Sequence, residues 1–151
     1  MPRLTAATNA ADVAADFGEM EHRARHMLPA NRVNAQHLRN GILRNFRREG
    51  FFPYRWKKSR AAARRGGKTL THHATLRNSM HPVATDRYAA AGSDLVYAAI
   101  HEYGGRCGRH GATVLPPRAY LPIDAQGRLE PRMGKRIAHT TETWITEGKV
   151  K

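Results

Sequence analysis

The sequence predicts a chain that combines helices with a β-hairpin, and three observations point there. Apolar residues recur every three or four positions towards both ends of the chain, as amphipathic helices require. Between them lies a β-hairpin pattern, residues 83–85 and 88–91 around Asp86 and Arg87. Pro116, Pro117 and Pro122 then hold a further segment extended. With 151 residues and 40% apolar content the chain can build one core but not two, so a single domain is expected.

From Asn9 onward, Ala10, Val13, Ala14, Phe17, Met20, Ala24, Met27 and Leu28 fall at helical intervals, while Asp12, Asp16, Glu19 and Arg23 take other faces. Asn9 is the expected N-cap, and acids early with Arg23 and Arg25 late suit the helix dipole. Pro29 interrupts or restarts this helix. A second pattern, Ala35, Leu38, Ile42 and Phe46, runs to about residue 49, and Gly50 closes it. The two form an antiparallel pair or one kinked rod; periodicity does not choose.

A short helix is expected over 70–80, with Leu76 and Met80 on one side, ended by His81-Pro82 because a residue before proline avoids helical geometry. After the hairpin, Gly92-Ser93-Asp94 leads into D-L-V-Y-A-A-I-H-E-Y-G-G, residues 94–105, the stretch around which the chain is expected to be organised. Leu95, Ala98, Ala99 and Glu102 recur there at helical spacing, as do Val96, Ile100 and Tyr103. The spacing predicts a short helix buried on much of its surface, capped by Ser93 or Asp94 and stopped by Gly104-Gly105. R-C-G-R-H-G-A-T-V reads as a loop and residues 127–130 as a polar connection. A last helix over 132–145 carries a weak stripe of Met133, Ile137, Thr141 and Trp144 or Ile145, and Gly148 ends it before a frayed tail.

Charge is unevenly spread. Of the net +14, +11 falls between residues 32 and 68, where Arg32, Arg39, Arg44, Arg47, Arg48, Arg55, Lys57, Lys58, Arg60, Arg64, Arg65 and Lys68 face the single acid Glu49. Such a balance points to polyanions or acidic protein surfaces as partners. Phe51, Phe52, Tyr54 and Trp56 are interleaved with the cations, and Pro53 prevents a continuous helix through them. Three readings of this loop stand: phosphates and bases take the charges and rings; the rings pack on the core while 60–68 forms a mobile arm; or the loop docks on an acidic neighbouring subunit. Cys107 stands alone, so no intramolecular disulfide forms and a reducing compartment is expected. No apolar run approaches the roughly 20 residues of a membrane span, and the N-terminus lacks a signal-peptide core, so a soluble protein made in the cytoplasm is expected.

The chemistry-bearing residues do not assemble into a reaction centre. His101-Glu102 lacks the second histidine of a zinc-protease H-E-x-x-H, because position 105 is glycine. His101, Cys107 and His110, with His72 or His73, are ligand types that zinc accepts, yet Cys-x-x-His needs two further ligands from elsewhere; surface histidines and a partly buried thiol are the plainer reading. A thiol nucleophile at Cys107 with His110 as its base would need a pairing that adjacent loop positions do not ensure. Gly66-Gly67-Lys68-Thr69 looks like the end of a phosphate loop, but position 62 is alanine and no strand precedes it. No carboxylate pair sits in an apolar setting suited to acid and base work. Nothing calls for an enzyme or a cofactor.

One constellation is specific. L-R-x-S at residues 76–79, the hairpin ending in Gly-Ser, Y-A-A-I-H-E-Y-G-G at 97–105 and P-P-R-A-Y-L at 116–121 follow each other in the order and spacing of the phage virion morphogenesis family, and the chain resembles that family from about residue 40 to residue 123. The resemblance marks Leu76, Arg77 and Ser79, then Tyr97, Ala98, His101, Gly104 and Gly105, then Pro117, Arg118, Tyr120 and Leu121 as signature positions; a plain structural account covers Tyr97, Leu76 and Leu121 as core and the glycines as a helix stop. Where the family has Thr-Gly ahead of L-R-x-S, this chain has His73-Ala74, so a different turn is expected there.

The resemblance implies a small, mainly antiparallel sheet flanked by helices, with a long loop reaching neighbouring subunits. Residues 1–49 would be the helical region, 50–68 the basic aromatic loop, 69–123 the α+β core and 124–151 the C-terminal helix and tail. It implies a structural virion protein that forms a ring, expected to be a hexamer, at the head-tail junction as a tail-completion, stopper or terminator protein. Its partners would be copies of itself, neighbouring connector and tail proteins and double-stranded DNA in the channel, with no membrane, no metal and no cofactor. It would reside in the virion neck and, during assembly, in the host cytoplasm. Arg55, Trp56, Lys57, Lys58, Arg60, Arg64, Arg65 and Lys68 are the expected contacts to DNA or to an adjacent subunit. The competing class is a free nucleic-acid-binding module using residues 32–68.

Overall fold

The second helix, α2 (Leu28–Arg48), and not the 94–105 stretch, is the element on which the others pack. The computed structural model describes residues 9–51, 53–124 and 126–150. Phe52, Lys151 and the N-terminal residues 1–8 therefore lie outside the described residues. The class is α+β, with an N-terminal helical pair, but the strands form three separate two-stranded antiparallel hairpins in place of one sheet.

Helix α1 (Ala10–Arg25) starts where Asn9 predicts: the Asn9 side chain accepts from the Ala11 amide at 3.2 Å and donates to Asp12 at 2.7 Å. Its apolar stripe, however, is not buried; no residue of α1 is, and Phe17 is 64% exposed. Pro29 sits in the first turn of α2, where its missing N–H costs no hydrogen bond, so α2 begins at Leu28 and runs well ahead of its predicted start near Ala35. A side-chain cap is supplied from afar: Asp86 in the turn of the central hairpin accepts from the Leu28 amide at 2.9 Å, and Asn31 donates to the Thr85 carbonyl at 2.8 Å. That turn thereby locks β3 (His81–Ala84) and β4 (Ala89–Gly92) against one flank of α2.

Helix α6 (Pro131–Glu147) covers another flank and ends on Gly148 at φ 68°. Its buried positions are Met133, Thr140 and Thr143, and the half-buried Thr141 hydroxyl accepts from Asn34 at 3.2 Å. The stripe is therefore more polar than expected. Gly41 lets the two helices meet: a β-carbon there would stand 2.0 Å from the Met133 methyl. The core consists of Ile42, Phe46, Leu76, Met80, Ala98 and Tyr120, with Trp56, Leu70, Ala91, Leu95 and Leu121 packed around it. Phe46 stacks on Tyr120 at 5.1 Å and takes the edge of Trp56 at 5.5 Å, an offset and a T-shaped pair of the kind that aromatic quadrupoles favour.

Several sequence expectations change here. The 70–80 helix shrinks to α4 (Thr75–Asn78), because Leu70 and Ala74 both adopt positive φ. The region after Gly105 is a hairpin, β5 (Gly105–Cys107) and β6 (Thr113–Leu115), joined through a 3-10 turn. Residues 94–105 contribute only the six-residue α5 (Ala98–Tyr103), and Ser93 does not cap it: its hydroxyl accepts from the Leu95 amide in a local turn. One face of α5, Ala98 and Glu102, is buried, whereas Val96 (99% exposed), Tyr97 and Tyr103 face outward, so Tyr97 is not core.

Candidate assembly surface

The central and downstream signature segments meet around one carboxylate. Glu102 occupies the buried face of α5, one turn after Ala98, and its Oε2 accepts from the Tyr120 amide at 2.7 Å and the Leu121 amide at 3.1 Å. The Tyr120 hydroxyl returns to the Ala98 carbonyl at 3.0 Å, and the Arg118 amide donates to the His101 carbonyl at 2.8 Å. Asn45 of α2 holds the Tyr120 carbonyl at 3.0 Å, and the Trp56 indole holds the Ala119 carbonyl at 2.8 Å. Gly104 closes the clamp: at φ 72° any β-carbon would lie 2.8 Å from the Pro117 nitrogen and 2.9 Å from the Leu115 carbonyl. Extended backbone with no strand partner thus has its donors and acceptors satisfied by side chains.

Burial pushes the Glu102 carboxyl above its ordinary value, and the two backbone donors partly offset this. The Tyr120 phenol is pushed up to about 12, by burial first and then by Glu102 and Tyr103. Burial, then the nearby Arg118 charge, lowers the His101 imidazole. Glu102 was absent from the signature residues picked out by resemblance; its place in the Leu95, Ala98, Glu102 stripe, a lone acid on an apolar face, was the signal.

Upstream, Leu76 enters the core, and the Ser79 hydroxyl joins the Leu76 carbonyl at 2.8 Å and the Ser93 hydroxyl at 2.6 Å. Ala74 adopts φ 55°, a left-handed geometry in which alanine is strained.

The basic segment is folded. Strands β1 (Gly50–Phe51) and β2 (Tyr54–Arg55) pair antiparallel, and Arg60–Arg64 forms the short helix α3, capped by Ser59 and seated on fully buried Ala62. This corrects the mobile-arm reading of 60–68. Glu49, the one acid of the segment, ties it at both ends: its carbonyl accepts from the Trp56 amide at 2.7 Å and its carboxylate from the Thr69 amide at 2.6 Å. Three of the expected contacts are engaged inside the chain, Trp56 through Phe46 and Ala119, Lys68 through its Nζ on the Arg47 carbonyl at 2.8 Å, and Arg65 through its guanidinium on the Lys68 carbonyl at 2.6 Å. Arg55, Lys57, Lys58, Arg60, Arg64 and Arg65 remain exposed, and none forms an ion pair among the described residues.

A second cluster of cations, which joins Arg44 and Arg47 of the basic run to Arg132 and Arg136 far along the chain, lines a cleft of about 390 Å³ between α2 and α6, bounded also by His37, Gly41 and Met133. Arg44 is bridged to Glu130. Cys107 is half-buried on β5 and His110 lies in the 3-10 turn. Among the described residues no three His, Cys, Asp or Glu side chains converge as metal ligands, and no helix is long and apolar enough to cross a membrane.

A family model described as the phage virion morphogenesis family matches residues 9–133. The chain is also 27% identical over 118 residues to the Mu-like prophage FluMu G protein 2 of Haemophilus influenzae, covering 78% of this chain and 82% of that protein. No solved structure matches it. With the match spanning α1 to the start of α6 and the signature positions Ala98, His101, Gly104, Arg118, Tyr120 and Leu121 held in one clamp, the chain belongs to the phage virion morphogenesis family.

Proposed function

We propose that this structural virion protein assembles as a ring at the head-tail junction, completing or terminating the tail, or stopping the head, so that DNA passes from one to the other. The observation that carries the reading, beside the family, is the amount of unpartnered surface on a small chain. Tyr103 projects from α5, Val96 and Tyr97 from the turn before it, Val114 from β6 and Phe17 from α1, while six cations on β2 and the segment after it form no ion pair among the described residues. Large exposed apolar side chains and unpaired charge on one chain are what interfaces leave behind when a subunit is viewed alone.

In this reading Arg55, Lys57, Lys58, Arg60, Arg64 and Arg65 meet DNA in the channel or an acidic face of the next subunit. The body of the molecule is a support for these surfaces, with no catalytic role. Replacing the six by Ser is expected to leave the monomer folded, because all six are exposed, and to stop heads joining tails. Normal infectious particles assembled with that variant overturn the reading. The competing reading, a free nucleic-acid-binding module, rests on the same charge; it predicts a monomer whose DNA affinity falls steeply with salt and whose loss leaves particle joining intact.

A further inference from the structure

The exposed face of α1 has a complement on the same chain. From Asn9 to Glu21 there are four acids, Asp12, Asp16, Glu19 and Glu21, and no Lys or Arg. Asp12 and Asp16 lie one turn apart, directly beside a stripe made by Val13 and Phe17, and every residue from 10 to 19 is exposed. The α2–α6 cleft has the opposite character: Gly41 and Met133 supply an apolar floor, and Arg47, Arg132 and Arg136 supply an exposed rim with no ion pair among the described residues. Its volume of about 390 Å³ suits side chains pressed in from a helix laid across it.

A chain cannot make this contact with itself. Helix α1 meets the C-terminal end of α6, where the Trp144 indole donates to the Arg23 and His26 carbonyls and Arg23 reaches the Thr146 carbonyl. Arg136 and Arg132 lie towards the other end, about 15 and about 21 Å from Thr146 at a rise of about 1.5 Å per residue.

We infer that the first two turns of α1 dock in the α2–α6 cleft of a second copy, Val13 and Phe17 on the floor and Asp12 and Asp16 against Arg132 and Arg136. Two different patches of one chain then face each other, a head-to-tail contact that closes into a ring when its rotation closes. An amphipathic helix laid in a groove is an established mode of recognition, here with the acids choosing the partner and its register. This inference rests on the ring reading and specifies the interface.

The test uses the full chain and its mass in solution by light scattering across a concentration series. Asp12→Lys with Asp16→Lys, and separately Arg132→Glu with Arg136→Glu, should each weaken self-association at least about tenfold, as reversal of close charge pairs does. All four residues are exposed, so thermal unfolding should change only by what the lost Asn9–Asp12 contact at the start of α1 removes, and the Arg132 and Arg136 variant should unfold as the native chain does. Combining the four substitutions in one chain should restore assembly. Phe17→Ser should weaken it without any charge change. Unchanged masses overturn the inference, as does a wild-type chain that stays monomeric. So does a cleft reversal that leaves the mass intact, whether α1 reversal acts alone, which would make α1 pair with itself, or double-stranded DNA is released instead, which would make the cleft a nucleic-acid surface. In each of these cases joining of heads to tails still reports separately on the ring.

Discussion

Removing the Glu102 carboxylate tests whether the signature clamp is held by hydrogen bonds or by charge. In Glu102→Ala the Tyr120 amide loses its acceptor in a buried position and the Leu121 amide loses one in a half-buried position. A buried donor left unpaired costs about 1–3 kcal/mol, so the pair costs about 2–4 kcal/mol, the lower half applying where water reaches Leu121. For a chain of this length, about 2–4 °C is lost per kcal/mol, which places the drop in Tm at about 4–16 °C. Glu102→Gln keeps one oxygen where both donors converge and removes the cost of burying a charge, so its Tm at neutral pH should equal or exceed that of the native chain.

The pH dependence has a definite sign. The Glu102 carboxyl is raised in the folded state, so protonation favours folding: this contribution is fully present below the ordinary glutamate value and is lost as pH rises through the raised one. Native stability relative to Glu102→Gln should therefore fall from acidic to neutral pH. Thermal unfolding followed by circular dichroism at several pH values measures all three chains. Equal losses in Gln and Ala would refute the reasoning, because the charge and not the acceptor would then hold the clamp.

Three further outcomes follow from the same geometry. Ala74→Gly should gain about 0.5–1 kcal/mol, since relief of a left-handed alanine, about 1–2 kcal/mol, exceeds the entropy glycine adds to the unfolded chain, about 0.5–1 kcal/mol; denaturant midpoints measure it. Glu49→Ala should cost about 1–2 kcal/mol and speed hydrogen exchange at Thr69 and along α3, whereas Glu49→Gln should keep the bond and the protection. His101 has its pKa lowered by burial and Arg118, so it contributes stability above the ordinary histidine value that is lost as pH falls through the lowered one; His101→Gln should flatten that acid-side loss in unfolding titrations.

What was legible in the sequence was local. Asn9 capped its helix, the Asp86-Arg87 turn joined its strands and Gly148 stopped α6, each because the deciding interaction lies within a few residues. Pro29 was ambiguous for the same reason: a proline reads identically as a breaker or as a first-turn residue, and only Asp86, far along the chain, makes it a start. Helix α3 and the β5–β6 hairpin were missed because each is short and is held by tertiary contacts, α3 by buried Ala62 and β5–β6 by its glycine turns. The exposed side of α5 was misread because period alone cannot tell a stripe that meets the core from one that meets a partner. The six exposed cations were visible as a charge run, but the cleft was not, since Arg47 comes from α2 and Arg132 and Arg136 from α6.

The arrangement separates the buried part of the signature from the surfaces that would touch neighbours; Tyr97, a signature position that faces outward, belongs to the second group. Glu102, Tyr120, Arg118 and Leu76 are buried, and Ser79 is spent on the backbone of α4 and on Ser93; a partner can reach none of them without opening the fold. The surfaces offered outward hang on those same elements: α5 and the turn before it expose Tyr103, Val96 and Tyr97, and the basic hairpin is pinned beside the clamp by Trp56. A clamp that fixes α5, the 117–121 segment and the hairpin as one unit fixes the angles between their outer faces. In a ring, where a small error in the angle between two interfaces is repeated at every subunit, that rigidity decides whether the circle closes.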